Sequence, residues 1–254
     1  MKRSKIIYLL LIILYVSCSQ TDSNKEKDTT QNIEPTLITP VLDAHGGQAN
    51  WQKLRTFEFD LPANEEQNQV DLWTRKSLIT TSKFKIGSDG NKVWMLQDTV
   101  AFKNDPRFYH NLMFYFVAMP FVLSDPGITY ETVPDLEVDS QAYSGVKISY
   151  ESNVGDAAKD NYILYFDKET KEMAYLAYTV TYFSDEVSDK YSLIKYTFGD
   201  VDGLKLPTQM QWLKYENGQV GEPRGEPRVV ENIKISETPL DSTIFSIPEG
   251  ATLH

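Results

Sequence analysis

Few side chains in this sequence are equipped for chemistry, and they are scattered. There is one cysteine, Cys18, and there are three histidines, His45, His110 and His254. A thiolate zinc site needs several cysteines, and a catalytic zinc usually takes three protein ligands. No H-E-x-x-H and no histidine pair at helical spacing occurs, so neither a metal nor a cofactor is expected. The G-x-S-x-G elbow, the P-loop and G-x-G-x-x-G are absent too. Carboxylates are abundant, as at Glu65-Glu66 and Asp185-Glu186. They stand in hydrophilic stretches that read as solvated loops, whereas a general acid needs burial and a shifted pKa. Asp200-Val201-Asp202-Gly203 opens like a calcium loop, but Leu204, Leu206 and Pro207 follow, so it reads as a hairpin turn. His45, ahead of Gly46-Gly47, reads as the C-terminal residue of a helix, favoured there by the dipole. The expectation is therefore a protein that is not an enzyme. The rivals are a hydrolase with a dispersed carboxylate or serine site, with His110 as its histidine, and a structural or scaffolding subunit of an envelope complex.

The position of Cys18 gives it a different use. Lys2, Arg3 and Lys5 precede an apolar run from Ile6 to Val16, followed by the small residue Ser17 and then Cys18. That is the layout of a secretory signal over residues 1–17. The run is too short to span a bilayer core, which needs about 20 residues. A cysteine at the end of such a segment resembles the bacterial lipobox, with Tyr15 where that motif usually carries Leu. The resemblance implies diacylglycerol on the Cys18 thiol and a membrane anchored through that lipid. A lone cysteine also leaves no internal disulfide, and a domain of this length can bury enough core to do without one.

The formal charge is −11, and removal of residues 1–17 takes away three cations and no acid, leaving −14. Phosphate neutralisation needs clustered Lys and Arg, so no nucleic acid is expected as a partner. Residues 18–35 hold one aliphatic side chain, Ile33, and no aromatic. Such a stretch cannot offset its ordering entropy and reads as a tether spanning roughly 20–25 Å. Residues 36–254 then form one domain.

Two short helices are expected between Pro35 and Leu54, broken at Gly46-Gly47. Period-2 alternation follows. Phe57, Phe59 and Leu61 share one face, as do Val70 and Leu72, and Leu78, Thr80, Ser82, Phe84 and Ile86 lie along one long strand. Further strands are expected around Trp94 and at 128–133, 145–151, 161–167, 173–183, 191–199, 205–215 and 228–236, separated by turn signals such as Asp202-Gly203 and Glu216-Asn217-Gly218. Short turns between successive strands imply an antiparallel, mainly β fold. Arg107–Leu123 breaks the rhythm. It is apolar nearly all round, with Pro120 near its end, and reads as a helix buried inside a curved sheet.

Aromatic content is the remaining signal. The bland reading is a core filled by rings. The functional reading is an apolar cleft for a lipid or acyl chain, between the concave sheet and Arg107–Leu123. Its candidate lining is Phe108, Leu112, Phe114, Phe116, Met119 and Phe121 from that segment, with Trp73, Trp94 and Tyr178 as strand-borne wall residues. Met adapts its shape to such a lining. Pro120 and Asp125-Pro126-Gly127 bracket the segment's C-terminal end with helix breakers, so a swinging lid is expected there.

Three stretches, Ala44–Pro62, Tyr109–Tyr130 and Val154–Thr170, together resemble an uncharacterised family of Bacteroidota lipoproteins. Asp89–Trp94, Asp202–Thr208 and Leu240–Ala251 in turn resemble segments of the LolA/LolB lipoprotein-carrier superfamily. That resemblance implies an incomplete antiparallel β-barrel of about eleven strands around plug helices, with an apolar interior that takes acyl chains. It also implies a monomer held at the outer membrane, on its periplasmic face or at the cell surface.

Overall fold

The computed structural model describes residues 36–150, 160–183, 188 and 190–254. The signal segment 1–17, Cys18, the tether to residue 35, Asp185-Glu186 and the first part of the stretch 154–170 lie outside the described residues. Pro35–His254 is one compact unit.

Two six-residue helices come first, α1 (Thr39–Ala44) and α2 (Gln48–Lys53). Strands β1 (Thr56–Leu61), β2 (Glu66–Asp71), β3 (Ser77–Thr80), β4 (Phe84–Ser88) and β5 (Val93–Gln97) follow. Next are α3 (Pro106–Tyr109), α4 (Leu112–Val117) and a 3-10 turn at Phe121–Ser124. Then the chain returns to strands: β6 (Ile128–Val138), β7 (Gln141–Tyr150), β8 (Asn161–Asp167), β9 (Met173–Tyr178), β10 (Ser192–Val201), β11 (Leu204–Glu216), β12 (Gln219–Pro223), β13 (Arg228–Val229), β14 (Glu231–Ser236) and β15 (Thr252–Leu253). The fold is mainly β and antiparallel, a curled half-barrel. One sheet runs β14-β1-β2-β3-β4-β5-β15 and the other β12-β11-β10-β9-β8-β7-β6, with β13 added to β11. The chain passes from the first sheet to the second through the segment between β5 and β6 and returns at Val230, between β13 and β14.

The alternation in β1 is realised as expected, with Phe57, Phe59 and Leu61 buried and Glu58 and Asp60 half-buried. The hairpin of β10 and β11 closes Val201 onto Leu204 across Asp202 and Gly203, both at positive φ. A two-residue turn with that twist matches the flanking strands. The expected long strand over residues 78–86 is instead the hairpin of β3 and β4, pairing Ser77 with Ser88 and Thr80 with Lys85. Thr81 makes the turn: its hydroxyl accepts from the Lys83 and Phe84 backbone N–H groups at 3.1 and 2.9 Å. A Thr side chain that bonds its own backbone offers the chain an alternative to the ladder.

The free edge strand β6 carries a register shift between Val133 and Leu136, at Pro134-Asp135. The opposite edge of that sheet, β12, ends Gly221-Glu222-Pro223, all exposed.

Arg107–Leu123 is not one helix. Asp105 caps α3, its carboxylate accepting from the Arg107 N–H at 2.8 Å, with Pro106 at the first helical position. Asn111 and Pro120 divide the rest. From Met113 onward the segment is nevertheless core, packed with α1, α2, β1 and the inner faces of β7 to β11. Trp51 stacks on Phe121 at 4.8 Å.

Candidate functional site

Strand register decides which side chains face the segment. Ser192 lies opposite Tyr178, Ile194 opposite Trp212, and Met210 opposite Arg228. Opposed residues share a face, and so do residues two apart along one strand. Tyr178, Ser192, Trp212 and Arg228 therefore project to the side that carries the buried Leu176, Ile194 and Met210. Against them stand Phe108 of α3 and Leu112, Met113 and Phe116 of α4. Together they line an open cleft of about 520 Å³, which Val180, Arg224 and Glu226 complete. That volume is within the ~300–1,000 Å³ of small-molecule sites.

The floor is aromatic. Phe116 meets Tyr178 edge-on at 5.0 Å and Trp212 at 6.0 Å. Trp212 Nε1 donates to the Tyr178 hydroxyl at 2.9 Å, which leaves the phenol's own proton to be donated. Burial pushes the Tyr178 pKa up, opposed by the Trp212 and Ser192 hydrogen bonds and by the nearby Arg224 and Arg228, so the phenol is neutral at pH 7. At the open end Phe108 packs on Tyr182 and on Phe183, each at 4.9 Å, and Phe183 is 70% exposed.

Of the residues singled out from sequence, Phe108, Leu112, Phe116 and Tyr178 come together in the cleft. Phe114, Met119 and Phe121 are buried in the main core instead: Phe114 points from another side of α4 than Leu112 and Phe116 and meets Phe57, and Phe121 meets Trp51. Trp73 sits on the turn after β2, 63% exposed, beneath the Arg55 guanidinium. Trp94 fills a separate small core with Leu78 and Phe245. Its indole lies where a side chain on Gly87 would meet it at 2.3 Å, and Nε1 donates to the Phe245 carbonyl. The expected lid hinge is also replaced. Arg75 holds Asp125 through one guanidinium nitrogen, at 2.7 and 2.8 Å to the two carboxylate oxygens, and lies over the Phe114 ring. Met119, Phe121, Val122 and Leu123 are each at most 1% exposed, so this end has no room to swing.

Two further expectations are corrected. Glu66 is not a solvated loop charge. It opens β2, is 3% exposed, and accepts from the Tyr109 hydroxyl at 2.6 Å and from Asn64 at 3.1 Å. Burial raises its pKa above the ordinary carboxylate range, against those bonds and the field of Arg228. His45 does end α1, but as a fully buried imidazole whose pKa burial lowers, so it is neutral and no dipole effect on a cation operates. Its Nδ1–H donates to the Val41 carbonyl at 2.8 Å and the ring meets Phe198 edge-on. His110 is bonded through Nδ1 to the Arg107 carbonyl at 2.7 Å.

Sequence reasoning missed the basic side of the cleft. Arg224 and Arg228 belong to the tandem repeat Gly221-Glu222-Pro223-Arg224 and Gly225-Glu226-Pro227-Arg228. In so acidic a chain that repeat was the available signal. The Arg224 N–H donates to the Trp212 carbonyl at 2.8 Å, which lays the repeat along the cleft.

The profile of the family of unknown function DUF6503 matches residues 71–202, just over half of the chain. The chain belongs to this family. The matched span runs from the end of β2 through β10, and so includes α3, α4 and Tyr178 but not Trp212 or the arginines. Among curated proteins none matches the sequence. Solved structures similar to the chain include the LolA superfamily protein of Nitrosomonas europaea, 12% identical, with a TM-score of 0.45 over 76% of this chain and 87% of that one. Another is a DUF1329 family protein of Desulfovibrio piger, 10% identical, with a TM-score of 0.46 over 82% and 97%. No helix among the described residues is long and apolar enough to cross a membrane.

Proposed function

We propose that this member of the DUF6503 family is an envelope lipoprotein that holds a lipid or lipoprotein acyl chain in the cleft between α3–α4 and β9–β11. It is read as a binding protein, not an enzyme, exported by residues 1–17 and anchored at the outer membrane through a lipid on Cys18. The tether 18–35 then carries the domain 36–254 just off the bilayer. One observation supports the binding role above the rest. Phe108, Leu112, Met113, Phe116 and Trp212 line an open cleft that the protein's own side chains leave unfilled. Each methylene buried there gains about 0.8 kcal/mol, so a chain of a dozen carbons outweighs the cost of ordering it. Native mass spectrometry of the protein purified from its own envelope should show bound lipid, and a fluorescent fatty-acid probe should be displaced by it. A protein that comes away bare and takes up no probe would end this reading. The anchor has its own test: fatty-acid labelling that persists undiminished in Cys18→Ala removes Cys18 from the account.

A further inference from the structure

Among the described residues three arginines lie against aromatic rings, and two of them are completed from within. Arg55 stands 4.4 Å from the Trp73 ring and pairs with Asp71 at 3.0 Å. Arg75 stands 5.1 Å from Phe114 and pairs with Asp125 at 2.7 Å. Arg228 stands 5.6 Å from Trp212 in the cleft, and among the described residues no carboxylate pairs with it. Its one hydrogen bond there goes to the Met113 sulfur at 3.2 Å. A thioether is a weak, neutral acceptor, a poor match for a half-buried guanidinium. The carboxylate of Glu66 acts on Arg228 only through space, because its Oε1 is taken by Tyr109 and Asn64 and its Oε2 is buried without a partner. Beside Arg228 the cleft offers a second cation, Arg224, and the hydroxyls of Tyr178 and Ser192, which bond each other and leave one O–H to donate. Glu226 is the one acid among the cleft residues.

We propose that Arg228, with Arg224 at the mouth, is a head-group site for an oxyanion, so that the cleft selects single-chain amphiphiles ending in a carboxylate or phosphate over neutral ones. This rests on the cleft being the acyl-chain site. The tail lies along Phe108, Leu112, Met113 and Phe116, and the head takes the place at Arg228 that Asp71 and Asp125 take at the other two arginines. A planar guanidinium suits either oxyanion, and the low dielectric between Trp212 and Phe116 strengthens the pair. Such recognition favours a free fatty acid or a lysophospholipid over the neutral, amide- and ester-linked acyl groups of a lipoprotein N-terminus.

The test compares three probes of equal chain length on the full-length, delipidated chain: palmitate, palmitoyl lysophosphatidate and monopalmitoylglycerol, measured by titration calorimetry. At least one anion should bind roughly 10–100-fold more tightly than the glyceride, the scale of a charge-assisted hydrogen bond. Palmitate alone at that level assigns the carboxylate, and the lysophosphatidate alone assigns the phosphate. Arg228→Gln should abolish the preference for the anion over the glyceride, and Arg228→Lys should restore part of it. Arg224→Gln, at an exposed position that cannot disturb the core, should lower anion affinity severalfold. If all three probes bind alike, and neither substitution nor added salt separates them, the head-group site is wrong and the acyl cleft stands. If none binds, both readings fall.

Discussion

The two ends of the segment between β5 and β6 make opposite use of similar residues. At the C-terminal end Phe121 lies flat on Trp51, the neighbouring side chains are sealed, and the Arg75–Asp125 pair closes the corner. At the N-terminal end Phe108 faces open space, and the arginine opposite has no carboxylate partner among the described residues. Both ends are aromatic plus arginine. What differs is whether the protein supplies the acid. An arginine satisfied internally fastens a core, and one left with a sulfur is free to receive something else.

The largest effect that would break this contrast is at the core end. Phe121→Ala should cost about 3–5 kcal/mol, read by urea unfolding, because stacked rings around the vacated space cannot collapse into it. A loss below about 1 kcal/mol would mean that this end is no more structural than the other. Next comes the corner. Arg75→Gln should cost about 1–2 kcal/mol. This is less than a fully buried pair because the two side chains are 37% and 32% exposed. The third test concerns the tether of the open end, the Tyr109–Glu66 bond. Burial raises the Glu66 pKa above its ordinary 4.5. The fold therefore binds that proton more tightly than the unfolded chain does. The resulting stability is full below pH 4.5 and is lost as pH rises through the folded value. Glu66→Gln keeps an acceptor for Tyr109 and removes the titration. The stability of the variant relative to wild type should thus climb with pH from 4.5 toward neutrality, and a flat difference would mean that folding does not raise the pKa of this carboxyl. The smallest stability effect belongs to Phe108→Ala, within about 1 kcal/mol, yet this substitution should weaken acyl-chain binding severalfold while Phe121→Ala, where it remains folded, leaves the cleft residues in place.

The same contrast explains what could be read from sequence. The strands of β1 and the Asp202-Gly203 hairpin were legible because alternation and turn residues are local signals. The turn at Thr81 was not, because Leu78, Phe84 and Ile86 keep the same parity on either side of it and threonine suits a strand as well as a turn, so only the bonding of the Thr81 hydroxyl distinguishes the two. Arg107–Leu123 announced burial by its composition, but apolarity alone could not divide it into a sealed half and an open half. That division is made by what lies opposite, and Trp212, Arg224 and Arg228 are about a hundred residues further along. Glu66 misled for the same reason: its neighbours in sequence are polar, and its neighbour in space is Tyr109.

The two margins of the larger sheet bear on how such an open fold avoids pairing with copies of itself. A half-barrel, unlike a closed one, leaves strand edges that can recruit another strand. Here one margin is broken by Pro134 within β6, flanked by Glu131, Asp135 and Glu137, and the other ends in Glu222 and Pro223. A proline removes a donor and a carboxylate repels its own copy, so neither margin is a template for addition. The acidity that makes the chain a poor partner for nucleic acid also discourages stacking edge to edge, and it leaves the cleft, with its two arginines, as a basic spot on a surface otherwise suited to staying apart.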